Sequence, residues 1–365
     1  MKRLILLLLV SAASVVQATT YYINFSGGLD ANDGLSPGKA WKTLSKWNSA
    51  LAGDTLLFKR GETWTGGLTI KKSYLTFAAY GTGPLPVIQQ TDSSLIPIYI
   101  DSQTHLTFRN MKIAAHYAPA IYFGTWISGA DGEGSSYILI DSCTILGPVQ
   151  VYGAHNTVQN CEVDGTTNNG TPSGDRSGIF AHHAPSHHNT FATNIIHRFG
   201  RSGIHIMQHT HDDQIINNTV YDINGPTPNQ DGQAIDIDSY GDVSWRNLVR
   251  GNIVYNSESG ISLENCFESV VETNTVYGIS DSHVAGGNGI GSILYSTGKI
   301  GGEQNQYGAN GDLRGMNTYN IIRQNVIHDI VGMGIAVWDT GALTIDKNTL
   351  YNNVGGDIYV TASAR

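Results

Sequence analysis

One short pattern recurs along this chain: an apolar residue, two variable ones, a ladder residue, any residue, then Val, Ile or Leu. It reads Phe108…Met111-Lys112-Ile113, Ile140…Cys143-Thr144-Ile145, Val158…Cys161-Glu162-Val163, Phe191…Asn194-Ile195-Ile196 and Ile215…Asn218-Thr219-Val220. It continues through Asn252, Asn274, Asn325 and Asn348. The pairs 194/218, 252/274 and 325/348 are 24, 22 and 23 residues apart, and the longer gaps carry insertions. A unit of this length with the alternation of a strand, not of a helix, predicts a β-solenoid. Strands that recur once per coil lie parallel, about 4.8 Å apart. A buried Asn column is tolerable only if the amides bond to one another and to backbone along the stack. Cys143 and Cys161 share that column, so they read as stacked core thiols. Three cysteines are too few for a disulfide scaffold.

Each ladder strand is followed by a loop and a second strand, usually opening Gly-Ile. Its inward residues align as Ile121, Val151, Ile179, Ile204, Ile235, Ile261, Ile290 and Ile335. Alternation then sends the residues one and three places later outward. The first outward column reads Tyr122, Tyr152, Phe180, His205, Asp236, Ser262, Gly291 and Ala336. The next reads Gly124, Ala154, His182, Met207, Asp238, Glu264, Ile293 and Trp338. A third column, before the Ile, holds Arg176, Arg201, Asp231 and Glu258. Long insertions at residues 164–175, 224–230, 278–288 and 296–317 would wall a groove over the central coils.

Charged residues are only 14% of the chain, with 43 Gly and 18 Tyr, which suits an all-β extracellular protein. The net charge of -9 argues against general nucleic-acid binding, and an acidic substrate would have to be met by local basic groups. Lys2 and Arg3, an apolar run over residues 4–10 and Val16-Gln17-Ala18 read as a signal peptide. The expected organisation is therefore a leader over 1–18, a cap with first coils over 19–105, and repeats over 106–365. The protein is expected to be secreted or periplasmic, without a membrane span. Beyond the strand at Ile358 no amphipathic closing element is visible. The coil end is expected to be covered by a partner or further domain, or the sequence is a fragment.

The chain resembles the secreted right-handed parallel β-helix proteins of the pectate-lyase type. Besides the repeats, the resemblance rests on Tyr22-Ile23-Asn24, Asp33-Gly34-Leu35-Ser36-Pro37, Trp41-Lys42-Thr43-Leu44, residues 53–58 and Ala79-Tyr80-Gly81. It implies an all-β, right-handed parallel β-helix with an N-terminal cap. That group includes polysaccharide lyases, glycoside hydrolases, epimerases and non-catalytic adhesins, so fold does not choose among them. The polygalacturonase pattern Asn-Thr-Asp, Asp-Asp, Gly-His-Gly, Arg-Ile-Lys is absent in order. Asp212-Asp213 is an isolated acidic pair that reads as part of a turn.

Asp236 and Asp238 lie two apart on one strand, roughly 6–7 Å between Cβ atoms, and Glu264 follows on the next coil, about 4.8 Å from Asp238. Such charges repel, so a cation, a shared proton or a nearby Arg or His must relieve them. The resemblance to calcium-dependent pectate lyases implies calcium on Asp236, Asp238 and Glu264. A shared proton would suit hydrolysis by the same acids as general acid and base. The leading expectation is a lyase that cleaves an anionic, uronate-containing polysaccharide by β-elimination. Arg201 or His205 would be the base, with Asp236, Asp238 and Glu264 in the catalytic set. Arg176 would clamp the substrate carboxylate, and Tyr152, Phe180 and His182 would line the subsite. Eight of the thirteen His residues fall between His182 and His211. They match no zinc motif and read as groove or turn residues. Trp41 and Trp64 read as cap packing.

Overall fold

The computed structural model describes residues 17–117, 119–124, 134–166, 176–183, 186–224, 232–238, 244–280, 287–293, 319–338 and 342–360. The expected leader, residues 1–18, lies almost wholly outside these. So do the insertion 296–317 and most of the other three expected groove loops.

Among the described residues the chain winds into three long parallel sheets of 12, 11 and 11 strands. The first strand, Thr20–Ile23, joins sheet 1 alone, and each later coil contributes one strand to each sheet. Gln214–Ile216 lies in sheet 1, Thr219–Tyr221 in sheet 2 and Gln233–Asp238 in sheet 3. Each strand pairs in parallel with its equivalent one coil away, as in Ile215↔Val249, Val220↔Val254 and Ile235↔Ile261. Sheet 1 lines the interior with Phe191, Ile215, Val249, Val271 and Ile322. Sheet 2 adds Ile196, Val220, Val254, Val276 and Ile327, and sheet 3 adds Ile204, Ile235, Ile261, Ile290 and Ile335, all at 0% exposure. The repeated β-branched positions stack like on like, so each coil closes the core of its neighbour. No helix among the described residues is long and apolar enough to cross a membrane.

The turn from sheet 1 to sheet 2 explains the ladder. One residue per coil, including Thr193, Asn217, Gly251, Thr273, Gln324 and Lys347, has a left-handed backbone there. It turns the chain so sharply that the next residue, the ladder Asn, points inward with its backbone N–H. Asn194, Asn218, Asn252, Asn274, Asn325 and Asn348 form one continuous chain. The Oδ1 of Asn252 accepts from the backbone N of Asn218 at 2.8 Å and from its Nδ2 at 3.0 Å. The Nδ2 of Asn252 donates to Asn274 Oδ1 and to Ile215 O, both at 2.9 Å. The column begins with the thiols: the Cys161 N–H donates to Asn194 Oδ1, and the Cys143 N–H meets Cys161 Sγ at 3.4 Å. Cys143 and Cys161 are free and buried, as stacking requires, and Cys266, outside the column, is free and buried too.

A second polar column stands at the turn from sheet 3 into sheet 1, where the sequence pattern did not reveal one. Asn156, Asn189, Asp213, Asn247, Ser269 and Asn320 each accept the backbone N–H of the residue one coil earlier. Asp213 is therefore not a turn acid. It is fully buried and takes the place of an amide, while Asp212 keeps the turn and pairs with Arg246. Burial pushes the Asp213 carboxyl up to about 8, against hydrogen bonds from Asn189 that favour the anion.

At the N-terminal end, Trp41 stacks on Tyr21 with centroids 4.4 Å apart and donates Nε1 to Asn32 O. Trp64 meets Phe58 edge-on and donates to Lys42 O. Both indoles are packing groups, as the sequence reading expects. At the other end, the last described coil continues the core columns through Ile345, Leu350 and Ile358. There Val354 and Ile358 are 82% and 48% exposed.

Two stability measurements check these columns. Asn252→Ala removes four buried hydrogen bonds and strands their partners, so it lowers the unfolding free energy by about 3 kcal/mol or more, read from the urea midpoint. Asp213 has a raised folded-state pKa, so the unfolded chain loses its proton first. Stability from this group is fullest below the ordinary Asp range and declines as pH climbs from about 4 to about 8. Asp213→Asn abolishes that decline and stabilises by on the order of 1–3 kcal/mol at pH 8. A destabilised Asp213→Asn with unchanged pH dependence is the contrary result.

Candidate functional site

The acids and the imidazole expected to act together lie on adjacent strands of sheet 3, Ser202–Met207, Gln233–Asp238 and Ser259–Glu264. Register places His205 beside Asp236 and Asp236 beside Ser262, with Met207 beside Asp238. Ile204, Ile206, Ile235, Ile237, Ile261 and Leu263 fill the interior between them. The recurring Gly of the Gly-Ile opening faces inward too. A Cβ on Gly203 would stand 2.3 Å from Val220 Cγ1 and 2.6 Å from Ala234 O. The alternation therefore breaks at this Gly. Gln233, two places before Ile235, becomes a site residue that counting by twos from the Ile passes over.

Two columns differ from the sequence alignment. Ile121 pairs with Val149, not Val151, so Gln150 lies beside Tyr122. Tyr152 joins the following column, next to His182, because Val151 pairs with Ala181. A slip of two residues keeps every apolar residue inside, so hydrophobic alternation cannot detect it. In the third column the partner of Arg201 is Gly232, since Ser202 pairs with Gln233; Asp231 lies outside the described residues.

His205 is the centre of the site. Its Nε2 is 3.3 Å from Asp236 Oδ2 and 3.8 Å from Asp238 Oδ2, and its Nδ1 is 3.4 Å from Ser177 Oγ. These three side chains bring ligand atoms within 4.8 Å of one another. Glu264 is outside that set. It accepts a 2.8 Å hydrogen bond from Gln233 Nε2, which also reaches Ser262 Oγ at 3.3 Å. All of these groups point out of the sheet and are nonetheless buried: His205 is 0%, Asp236 2%, Glu264 6% and Asp238 9% exposed. The open trench floor expected from the sequence is thus a covered one. Ser177, Gln233 and Ser262 were missed because neutral polar residues carry no charge signal.

The expected subsite residues separate by exposure. Phe180 is half-buried and stacks on His182 at 4.4 Å and tilts against His205 at 4.9 Å. Tyr152 is fully buried against His182, so its ring offers no face to solvent. His182 is buried as well; burial first, then the imidazoles of His183 and His205, push it down to about 3, which keeps it neutral. Arg176 and Arg201 are half-buried on consecutive coils, joined by the Arg201 N–H to Arg176 O. The Arg176 guanidinium lies 4.8 Å over the Tyr117 ring. Neither arginine forms an ion pair with a described residue. By contrast Arg109, Arg198, Arg246, Arg250 and Arg323 all pair with carboxylates.

Residues 209–365 match the family described as the right handed beta helix region. No curated protein matches the chain. Among solved structures, it is similar to a lacto-N-biosidase from Eubacterium ramulus at 15% identity and a TM-score of 0.60, over 94% of this chain and 68% of that one. It is similar to a rhamnogalacturonan lyase at 14% and 0.61, over 95% and 86%. The A-module of a mannuronan C-5 epimerase from Azotobacter vinelandii matches at 14% and 0.54, over 94% and 100%. At such identities the likeness is one of fold, and the three names carry three different chemistries. With the three parallel sheets, these matches make the chain a right-handed parallel β-helix.

Proposed function

We propose that this protein is a secreted polysaccharide lyase that cleaves a uronate-containing chain by β-elimination. The observation that carries the reading is the pair of guanidiniums, Arg176 and Arg201, which have no carboxylate partner among the described residues, beside the His205 and aspartate cluster. In a chain of net charge -9, two neighbouring arginines without an ion pair to any described residue suit an anionic ligand. A uronate carboxylate is such a ligand, and it acidifies the proton on its α-carbon.

In this reading Arg176 and Arg201 hold the substrate carboxylate and offset the charge that grows on it as the enolate forms. His205 Nε2 takes the α-proton. The two aspartates within 3.8 Å stabilise the imidazolium that results, and Ser177 orients the ring through Nδ1. The electron pair left on carbon forms the double bond and expels the β-glycosidic oxygen, which takes up the proton that His205 Nε2 has accepted. Because His205 is buried, the sugar must reach its Nε2 from the rim that the arginines mark. Calcium fits this donor set poorly. The atoms brought together are two carboxylate oxygens and an imidazole nitrogen, whereas calcium takes oxygen ligands. Phe180 remains a candidate subsite wall.

Incubation with pectate, alginate and glycosaminoglycans tests the reading. A lyase yields an ultraviolet-absorbing unsaturated product, and the activity survives chelator. His205→Ala lowers kcat by about 10²–10⁴. Arg201→Ala raises KM for the uronate chain and lowers kcat as well, because the guanidinium both holds the carboxylate and offsets the enolate charge. New reducing ends without that absorbance would identify a glycoside hydrolase using Asp236, Asp238 and Glu264. Binding with neither product would identify an adhesin.

A further inference from the structure

A second cluster of side chains stands away from the proposed catalytic groups, at the turn where sheet 3 passes into sheet 1. We propose that His155, His187 and His188 form a surface site for a divalent transition metal, with His211 as the neighbouring imidazole. The metal would clasp consecutive coils.

The backbone builds this cluster. His155, His188 and Asp212 occupy equivalent left-handed positions in three successive coils, with φ of 58°, 54° and 57°. That conformation is uncommon for residues with a Cβ, and here it is imposed by the buried column that follows at Asn156, Asn189 and Asp213. The side chains at this turn therefore stack coil upon coil. His155 and His188 rings lie 5.1 Å apart across one coil step. His187 pairs in parallel with His211, and their rings stack at 4.9 Å. Within one coil, His187 Nδ1 and His188 Nδ1 are 2.8 Å apart.

One ring nitrogen from each of His155, His187 and His188 lies within 4.8 Å of the others, and His188, His211 and Asp212 form a second such set through the shared His188. His155 and His188 are exposed, and His187 and His211 are half-buried, so an ion can enter from solvent. Asp212 acts behind the site. It accepts from His211 Nδ1 at 2.7 Å and is held by Arg246 at 2.8 and 2.6 Å. Fixing Nδ1 in this way presents the opposite ring nitrogen of His211 outward, which is how an outer carboxylate orients a metal-ligating imidazole.

The charge environment suits metal ligation as well. The groups facing His187 are His155, His188, His211 and Asp212. A neutral imidazole is the ligand form. A single divalent ion satisfies the inward nitrogens of these imidazoles together. Three imidazole nitrogens suit zinc, copper or nickel, not calcium or magnesium.

The test uses the untagged full chain, stripped with chelator and titrated with Zn²⁺ and separately with Cu²⁺ by calorimetry at pH 7.5. The expected result is saturable binding of one equivalent, with a melting temperature that rises with metal concentration. Binding should be lost on acidification as protons take the imidazoles. His188→Asn and His155→Asn keep a residue that tolerates the left-handed backbone and remove the ligand. Each should weaken binding at least about tenfold while leaving the metal-free melting temperature and polysaccharide activity in place. His205→Ala should bind as the unaltered protein does. Absence of saturable binding overturns the proposal. So does binding that persists in His188→Asn, or that disappears in His205→Ala and thereby places the ion at the sheet-3 cluster.

Discussion

The structure depends on one repeated hydrogen-bonding arrangement: inward-turned amides that bond along the coil axis. A parallel solenoid must turn its chain sharply several times per coil, and each turn leaves an N–H without a strand partner in the core. A buried donor left in that state costs about 1–3 kcal/mol. The chain from Asn194 to Asn348 removes this cost by letting each side chain receive the N–H of the coil before it. Once those amides are stacked, the coils can be superposed only in one register. The apolar columns and the outward face of sheet 3 are then fixed together.

That constraint sets both side-chain clusters. On sheet 3 the register aligns His205 with Asp236 and brings Asp238 within reach of the same imidazole. At the turn into sheet 1 the second polar column fixes a left-handed residue in every coil, and the histidines gather there for that reason. The two clusters share residue types and differ in setting. One is closed over and lies beside two guanidiniums that have no ion-pair partner among the described residues. The other is open to solvent and is braced from behind by the Asp212–Arg246 pair. A buried imidazole facing two carboxylates suits proton transfer, whereas exposed, mutually facing imidazoles suit an ion.

Much of this was legible in the sequence, and the particular failures are instructive. The Asn column was readable because its period and its residue type repeat. Its Cys members could be placed because they shared the spacing. The second column was not readable, since it mixes Asn, Asp and Ser and so hides its period; Asp213 looked like half of a surface pair. Tyr152 was misplaced by two residues because inside–outside alternation is blind to even slips. Gln233 was passed over because the inward Gly before each Ile interrupts the count.

By itself, the sequence determined that the chain coils, which residues fill the core, and that Asp236, Asp238 and His205 share an outward face. Those follow from periodicity, which is a local property of the chain. Only the tertiary structure decided that Glu264 is tied to Gln233 while His205 Nε2 faces both aspartates. It alone decided that the cluster is covered, that Arg176 and Arg201 lack ion-pair partners among the described residues, and that His155 meets His188. These depend on side-chain direction and on contacts between coils. A strand's period fixes which face a residue takes, but not which neighbour its end will reach.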